Sequence, residues 1–489
     1  MGRNGRVPRH RRPETARSDA SRATRIEHDL LGERAVPADA YWGIHTLRAV
    51  ENFPITGRPI GLWPELVRAL ALVKHAAAQT NYELGMLDES KAEIVIAACR
   101  EIAGGALHGV FVVDMVQGGA GTSTNMNANE VIANRALELA GRAKGDYAFL
   151  HPIEHVNMAQ STNDVYPTAL RLALRFAIVD LLAAMEELKR AFEAKSREFH
   201  DLLKVGRTQL QDAVPMTLGQ EFSTFAVMLG EDQQRLSEAG ALIEEINLGA
   251  TAIGTGINSH PGYAPLACKH LVALSGVAVK TAENLVEATQ DCGAFVQLSG
   301  VLKRIAVKLS KTCNDLRLLS SGPRAGFGEI VLPAVQAGSS IMPGKINPVI
   351  PEVVNQIAFE VIGNDMTVTM AAEAGQLQLN AFEPIIAYSL FRSIPHLKQG
   401  CIVLARQCVT GITANRARLA DTVRQTIGIV TALNPYIGYE KSSALAKEAH
   451  VTGRGVYELV LEKGWLTEAD LDRILSPENL TEPRPRVRH

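Results

Sequence analysis

Long stretches of helical periodicity constrain the fold of this 489-residue chain more than any other sequence feature. In residues 168–204, apolar side chains recur at steps of three and four, with Glu and Lys between them. At 1.5 Å per residue, this segment predicts a rod roughly 50–55 Å long. Further periodic segments follow at 218–246, 286–319, 352–374 and 383–410. Periodic segments of this length predict a bundle or coiled coil, so we expect an all-α (mainly α) fold with no strand-rich region.

The composition is that of a soluble globular protein, with 46% hydrophobic and 21% charged residues. A net charge of −2 gives no general attraction to nucleic acid or to an acidic membrane surface. No apolar stretch approaches the roughly 20 residues that a membrane helix needs. We therefore expect neither nucleic acid nor membrane among the partners. Scattered cysteines without a Cys-x-x-Cys pair favour reduced thiols and a cytoplasmic location. They are Cys99, Cys268, Cys292, Cys313, Cys401 and Cys408.

The first 25 residues differ from the rest of the chain. They contain eight arginines among Gly, Pro and Ser, and no apolar run. A secretory signal is therefore excluded, and the Pro and Gly content disfavours an amphipathic transit peptide. We interpret residues 1–25 as a disordered basic extension. An N-terminal mainly helical domain (26–160), a central long-helix bundle domain (161–414) and a small C-terminal helical domain (415–489) are expected to follow it.

Four polar clusters interrupt the helical pattern, at 118–125, 160–164, 206–212 and 338–348. Hydroxyl and amide side chains dominate them, and Lys345 is their main cation. Such groups donate hydrogen bonds from many directions, which suits a dicarboxylate without a metal. Any one cluster could equally be an ordinary loop or helix cap. Four clusters that border the same long helices favour a binding site, because the ends of a bundle are where they can converge.

The last cluster, Gly-Ser-Ser-Ile-Met-Pro-Gly-Lys-Ile-Asn-Pro, is the most distinctive. Its two glycines and two prolines control the backbone, so the loop can aim two hydroxyls, an ammonium and an amide at one small anion. These groups belong to Ser339, Ser340, Lys345 and Asn347. A phosphate-binding P-loop is disfavoured, because one residue too many separates the glycines and Pro343 lacks an N–H.

Other common motifs are weak or missing. Gly254 and Gly256 begin a dinucleotide fingerprint, but Ser259 replaces its third glycine and no βαβ pattern surrounds it. The sequence contains neither a zinc-protease pattern nor a Gly-x-Ser-x-Gly elbow. Nucleotide-binding, metalloprotease and serine-hydrolase functions are therefore disfavoured.

The order and spacing of the four clusters resemble those of the fumarase/aspartase superfamily over residues 25–482. Segments 36–49, 347–356 and 379–384 are most similar to the branch that eliminates ammonia from aspartate. The resemblance implies a three-domain fold and a homotetramer in which a central long-helix bundle assembles across subunits. Each active site would be shared between three subunits. The resemblance further implies that no cofactor is required. Mg²⁺ activates some relatives, although no cluster here has metal-ligand spacing.

The resemblance also assigns roles to individual residues. Ser339 falls at the position of the general base, which removes a Cβ proton and leaves an enediolate-like intermediate. Residues expected to bind the α-carboxylate are Thr208, Lys345 and Asn347. Residues expected to bind the β-carboxylate are Thr122, Ser161, Thr162 and Ser340. Asn163 falls where the amino group is held. A serine base needs nearby donors, such as backbone N–H groups, to stabilise its alkoxide.

Gln209 separates the two main candidate reactions. Fumarases carry His after the Gly-Arg-Thr of this cluster, because adding or removing water needs a titratable partner. Gln cannot titrate, whereas an ammonium leaving group already carries its protons. Glu352, at the family's partner-carboxylate position, would then only orient Gln209; alternatively, Gln209 is a neutral spacer. We expect elimination of ammonia from L-aspartate to give fumarate. Alternatives are a class II fumarate hydratase, another succinate-type lyase, and a non-catalytic helical scaffold.

Overall fold

Five long helices form the body of the computed structural model, which describes residues 23–481 and Pro483. Within that range the helices, in chain order, are α1 (Ile44–Asn52), α2 (Pro64–Glu83), α3 (Glu89–Ala103), α4 (Thr122–Leu139), α5 (Thr162–Glu198), α6 (Leu218–Leu242), α7 (Tyr263–Ser275), α8 (Leu285–Gln290), α9 (Gly293–Leu319), α10 (Val349–Glu373), α11 (Glu383–Gln407), α12 (Arg416–Gln425), α13 (Val430–Ile437), α14 (Tyr439–Thr452), α15 (Val456–Glu462), α16 (Glu468–Ile474) and α17 (Pro477–Thr481). The five long ones are α5, α6, α9, α10 and α11. The expected mainly α fold is confirmed.

Strands occur only as small two-stranded sheets in the described part of the chain. They are β1 (Thr24–Asp29) with β2 (Gly32–Pro37), β3 (Leu203–Thr208) with β4 (Gln211–Thr217), β5 (Glu245–Ile246) with β6 (Lys280–Thr281), and β7 (Ile330–Val331) with β8 (Thr413–Ala414). The β5–β6 pair is parallel and the other three are antiparallel.

The long helices run alternately up and down the bundle. α6 returns along α5, since Arg175 pairs with Glu244 near one end while Gly219 packs against the main chain of Ser196 near the other. α9, α10 and α11 continue the alternation, and α11 runs parallel to α5. We call the end where α5, α9 and α11 begin the Thr162 end, and the opposite one the Glu198 end. At 1.5 Å per residue, the 37 residues of α5 hold the two ends about 55 Å apart.

Helix α5 begins at Thr162, six residues before the start predicted from periodicity. Pro167 lies inside the helix, although proline removes an N–H donor and disfavours a helical residue before it. Here the carbonyl of Asn163, which the missing N–H would have satisfied, accepts instead from Nδ2 of Asn247 at 2.9 Å. This side-chain donor lets α5 extend past the proline.

The polar cluster at 206–212 lies in a β-hairpin between α5 and α6. β3 and β4 pair through Thr208 and Gln211, and the two residues between them have positive φ, 54° at Gln209 and 61° at Leu210. Two consecutive positive φ angles are the signature of a tight hairpin turn, usually formed by Asn-Gly. The hairpin lies at the Glu198 end, directly after α5.

The single helix predicted at 286–319 is divided into α8 and α9. The division occurs at Asp291, whose Oδ2 accepts from the backbone N–H of Gly293 at 2.8 Å. Asp side chains often compete in this way with the helical hydrogen-bond pattern. The break places the start of α9 at the Thr162 end.

The predicted N-terminal extension falls mostly outside the described residues. Its last two residues, Thr24 and Arg25, belong to β1, so the predicted boundary is too late. The Arg25 guanidinium donates to the carbonyls of Ala40 (2.8 Å) and Trp42 (2.7 Å), which fixes the β1–β2 hairpin beside the start of α1. The domain boundaries predicted after residues 160 and 414 stay predictions. One hydrophobic cluster spans the N-terminal helices and the bundle, while a separate one joins residues 429–474.

Candidate active site

The first two polar clusters meet at the Thr162 end, where α4 and α5 begin. Gly121 precedes α4 with φ +92°, and a Cβ atom there would lie 2.5 Å from the ring of Tyr166. Only glycine fits this position, because both the backbone angle and the close approach exclude a side chain. The start of α4 therefore packs directly on the first turns of α5.

Ser161 caps α5 and is itself held by Asp164. Its Oγ accepts from the N–H of Asn163 at 3.2 Å, and its own N–H donates to Asp164 Oδ1 at 3.0 Å. The second oxygen of Asp164 accepts from the N–H groups of Gly249 (3.1 Å) and Thr251 (2.9 Å). Burial raises the pKa of Asp164 to about 6, and these backbone donors oppose the rise. The cap at Ser161 is thus fixed from two sides.

An asparagine of the first cluster bonds to the second. Asn125 donates from Nδ2 to Thr162 Oγ1 at 3.2 Å. The hydroxyl of Thr122, at the start of α4, donates to the carbonyl of Gly119 at 2.7 Å and is exposed. Asn163 donates from Nδ2 to the carbonyl of Ala252 at 2.7 Å. The structure therefore brings together four of the predicted site residues: Thr122, Ser161, Thr162 and Asn163.

The 338–348 loop lies at the Glu198 end, directly before α10. Ser339 Oγ accepts from the N–H groups of Ile341 (3.2 Å) and Met342 (3.0 Å). Asn347 closes the loop by donating to the carbonyl of Gly338 at 2.6 Å. A Cβ atom on Gly338 would lie 2.2 Å from the carbonyl oxygen of Lys345, so the two arms of the loop cross where only glycine fits. The side chains of Ser340 and Lys345 are exposed.

Thr208 and Gln209 lie at the tip of the β3–β4 hairpin, also at the Glu198 end, and both are exposed. A buried carboxylate anchors this hairpin: Glu329 pairs with Lys204 at 3.0 Å and with Arg207 at 2.6 Å. Glu329 lies just before the segment that leads into the 338–348 loop. Its ion pairs therefore hold the hairpin next to the start of that segment.

Glu352, in the first turn of α10, has Arg317 Nη2 at 3.9 Å. Its predicted role in orienting Gln209 stays a prediction.

The predicted site residues thus form two groups within one chain. The group at the Thr162 end holds 122 and 161–163, and the group at the Glu198 end holds 208–209 and 339–352. The length of α5 separates them by about 55 Å. A small dicarboxylate cannot touch both groups of the same chain.

One residue at the Thr162 end was missed from the sequence. Lys74, wholly buried on α2, donates to Asn157 Oδ1 at 2.8 Å and to Gln160 Oε1 at 2.9 Å. Burial lowers the pKa of Lys74 to about 7. The available signal was a lysine within the apolar run 69–78, since a buried lysine needs partners.

No group of three or more His, Cys, Asp or Glu side chains within residues 23–481 is arranged to hold a metal ion. Among the same residues, no helix is both long and apolar enough to cross a membrane. All six cysteines are buried and unpaired. A cavity of about 1330 Å³ opens beside the C-terminal helices, lined by residues such as Arg416 and Arg454, but none of the predicted site residues lines it.

Comparison with known proteins identifies the family. A family model described as "Lyase" matches residues 32–363, more than half of the chain, and one described as "Fumarase C C-terminus" matches residues 429–482. The chain belongs to the lyase family. This confirms the resemblance to the fumarase/aspartase superfamily. All of the predicted site residues lie within the part that the lyase model matches.

Individual lyase-family relatives match along almost their whole length. Aspartate ammonia-lyase from Pseudomonas aeruginosa is 61% identical over 463 residues, which cover 94% of this chain and 98% of the relative. A Brucella melitensis crystal structure described as fumarate lyase:delta crystallin bound to cobalt superposes with a TM-score of 0.92 at 57% identity, covering 94% of this chain and all of that one. Class II fumarase from Schistosoma mansoni superposes with a TM-score of 0.89 at 35% identity, covering 95% and 100%.

Proposed function

We propose that this protein is an aspartate ammonia-lyase, which reversibly eliminates ammonia from the small dicarboxylate L-aspartate, in anti geometry, to give fumarate. The observation that carries the proposal is the 61% identity to the P. aeruginosa aspartate ammonia-lyase over nearly the full length of both chains. At such identity, the four polar clusters and the helices that position them are expected to be shared.

The proposed assembly is a homotetramer with active sites shared between three subunits. Its main support is the 55 Å between the two groups of site residues, because only another copy of the chain can bring a Thr162 end to a Glu198 end. A second support is an apolar stripe on α10. Phe359, Met366 and Met370 lie on one face and are 62%, 61% and 65% exposed, as expected of a surface that packs against another helix.

In the proposed mechanism, Ser339 removes a proton from Cβ of aspartate. A serine alkoxide needs stabilisation, and the N–H groups of Ile341 and Met342 already point at Ser339 Oγ. Removal of the proton places a second negative charge on the β-carboxylate, which donors from another subunit, including Thr162, would hold. The C–N bond then breaks, its electron pair leaves with ammonia, and fumarate remains.

The loop and hairpin of the Glu198 end would bind the rest of the substrate. Lys345, Asn347 and Thr208 are proposed to hold the α-carboxylate, with the ammonium of Lys345 supplying the charge. Closure of the loop would exclude water and strengthen these hydrogen bonds.

Gln209 favours ammonia over water as the leaving group. It occupies the hairpin tip, where an amide can donate and accept hydrogen bonds but cannot carry a proton to a departing hydroxide. Assays of fumarate absorbance with L-aspartate and, separately, with L-malate distinguish the two reactions. We expect turnover of aspartate; turnover of malate alone would overturn the proposal in favour of a fumarate hydratase.

The shared site can be tested by mixing two chains that each lack one of its groups. Co-expression of Ser339→Ala chains with Thr162→Val chains should restore activity, because some sites then take Ser339 from one chain and Thr162 from another. With random mixing, about a quarter of the sites would have both groups intact. Absence of any recovery in mixed tetramers would show that each site comes from one chain.

We also propose that catalysis requires no cofactor, that Mg²⁺ acts at most as an activator, and that the protein works in the cytoplasm. The buried, unpaired thiols support a reducing location. Dialysis against EDTA should leave aspartate turnover within about twofold of the untreated enzyme, since the assigned hydrogen-bond donors provide the charge stabilisation. Loss of activity that returns only with added metal would contradict the proposal.

A further inference from the structure

A buried lysine stands behind the substrate-facing residues of the Thr162 end. Lys74 contacts no solvent, and its ammonium donates to the side-chain oxygens of Asn157 and Gln160. Both acceptors belong to the short segment that leads into the Ser161 cap. Within that segment Ala159 has φ +58°, a conformation that costs free energy for a residue with a Cβ. Lys74 therefore fastens a strained piece of backbone next to the site.

The contacts of Lys74 continue toward Thr162. Asn157 Oδ1 accepts from Lys74 and also from Nδ2 of Asn125 at 3.1 Å. The same Nδ2 of Asn125 lies 3.2 Å from Thr162 Oγ1 and donates to it. Lys74, Asn157, Asn125 and Thr162 thus form one hydrogen-bonded chain from the core to the site.

The direction of the hydrogen bond between Asn125 and Thr162 determines whether the Thr162 hydroxyl can donate to a substrate. A threonine hydroxyl has one hydrogen to donate and two lone pairs that accept. Because Asn125 donates to Thr162 Oγ1, the hydroxyl hydrogen is left for another acceptor, and none is found among the described residues. An anionic carboxylate in front of the helix start would be such an acceptor.

We propose that Lys74 is a positioning residue for the reaction: through Asn157 and Asn125 it fixes Thr162 so that the hydroxyl donates to the substrate carboxylate that gains charge. This inference rests on the proposed function and adds a residue that touches no substrate. Lys74 fixes Asn157 Oδ1 as an acceptor, which in turn keeps the Nδ2 group of Asn125 turned toward both Asn157 and Thr162.

The charge on Lys74 is compatible with this role. Its carboxylate neighbour is Asp164 of α5, which raises the pKa of Lys74, while burial lowers it more strongly, to about 7. A charged ammonium has three N–H donors and a neutral amine has two, so either form can serve both amide oxygens. The positioning role therefore persists on both sides of neutral pH.

Substitution of Lys74→Met removes the donors and keeps the length of the side chain. We expect kcat/KM for L-aspartate to fall by roughly 10- to 100-fold, since misplacement of a catalytic contact by about 1 Å has effects of this order. The loss should appear in kcat more than in KM, because Thr162 is assigned to charge that develops during the reaction. The tetramer should remain intact on size-exclusion chromatography.

Asn81→Leu is the matched control. Asn81 is also buried on α2 and donates to the carbonyl of Met158, in the same segment, but its side chain has no link to Thr162. We expect Asn81→Leu to lower Tm while kcat/KM stays within about threefold. Equal losses of kcat/KM in Asn81→Leu and Lys74→Met would show that Lys74 only stabilises the segment before Ser161, as Asn81 does. That result would overturn the proposal.

A double-mutant cycle separates positioning from independent effects. If Lys74 acts through Thr162, the variant that combines Lys74→Met with Thr162→Val should lose little more than Thr162→Val alone. Multiplicative losses would overturn the proposal, as would wild-type kcat/KM in folded Lys74→Met tetramers. If Lys74→Met does not fold, Asn125→Ala breaks the chain closer to Thr162, and the same cycle with Thr162→Val decides the question. Failure of the wild-type enzyme to release fumarate from aspartate would instead refute the proposed function.

Discussion

The two groups of candidate site residues are held in different ways. At the Thr162 end, two of the four side chains are connected to another element: Thr162 to α4 through Asn125, and Asn163 to the backbone of Ala252. In the 338–348 loop, by contrast, Ser339 and Asn347 make their hydrogen bonds within the loop itself. Residues at the Thr162 end are therefore tied to neighbouring elements, whereas the 338–348 loop is a self-contained unit on the surface.

This difference suggests a division of work between the groups. A carboxylate that gains charge needs donors that do not move during the reaction, and the Thr162 end provides them. A base that must reach a bound substrate and then release product benefits from a segment that can move as a unit, and the loop has that construction. Substitutions in the loop should therefore affect activity alone, whereas substitutions at the Thr162 end should affect stability as well.

The largest effect is expected from Ser339→Ala. Loss of the general base should lower kcat by about 10³- to 10⁴-fold. Tm should change by less than about 1 °C, because the Oγ atom accepts only from two N–H groups at the surface of the chain. Fumarate release and thermal unfolding measured on the same preparation check both parts. An inactive variant with a strongly reduced Tm would contradict the self-contained character of the loop.

Gly338→Ala should lower kcat/KM by about 100-fold through misplacement of the loop side chains. The new methyl group would collide with the Lys345 carbonyl at the crossing of the two arms, so the loop must open. Tm should change little. Gly109→Ala is the control, because a Cβ there meets no atom within 4 Å and φ is not positive; its activity should equal that of the wild type. Full activity of Gly338→Ala would show that the crossing is not needed.

Gly121→Ala tests the core-bound group by the same type of change. The methyl group would meet the Tyr166 ring at a backbone angle that alanine adopts only with strain. We expect a loss of about 3 kcal/mol in stability, seen as a lower midpoint in urea, in addition to reduced turnover. If Gly121→Ala and Gly338→Ala had the same effect on stability, the contrast between the two groups would not hold.

The smallest effect concerns pH. Glu383 begins α11 at the Thr162 end, and burial raises its pKa to about 8, with Arg171 opposing the rise. Between the ordinary glutamate pKa near 4.5 and about 8, the folded chain keeps a proton that the unfolded chain has released. Stability therefore falls as pH rises through this range. Glu383→Gln should flatten the decline of Tm between pH 5 and pH 8. Parallel Tm curves for the two proteins would contradict a protonated Glu383.

The long helices could be predicted from the sequence because their signal is local. Apolar residues at steps of three and four define α6, α10 and α11 to within a few residues at most ends. The β3–β4 hairpin could not be predicted in the same way, since Gln209-Leu210 lacks the glycine or asparagine that marks such turns. Its positive φ angles are imposed by the pairing of the strands and the Glu329 anchor.

The candidate residues were named from the sequence, but their separation into two groups was not visible there. Thr122 and Thr162 are 40 positions apart, yet α4 and α5 begin at the same end of the bundle and Asn125 of α4 bonds to Thr162, whereas Thr208, 46 positions after Thr162, lies a whole helix away. Lys74 was missed because its partners, Asn157 and Gln160, are more than 80 positions distant. Contacts between distant segments depend on packing, which a local pattern does not encode.

The length of α5 limits how proteins of this design can evolve. Inserting seven residues into α5 alone would displace one end of the helix by about 10 Å relative to its four neighbours. If sites are completed by other copies of the chain, every site in the assembly would be displaced at once. Loops can gain or lose residues separately, but the long helices can change length only together. A change in the length of one long helix is therefore tolerated only when the other four change by the same amount.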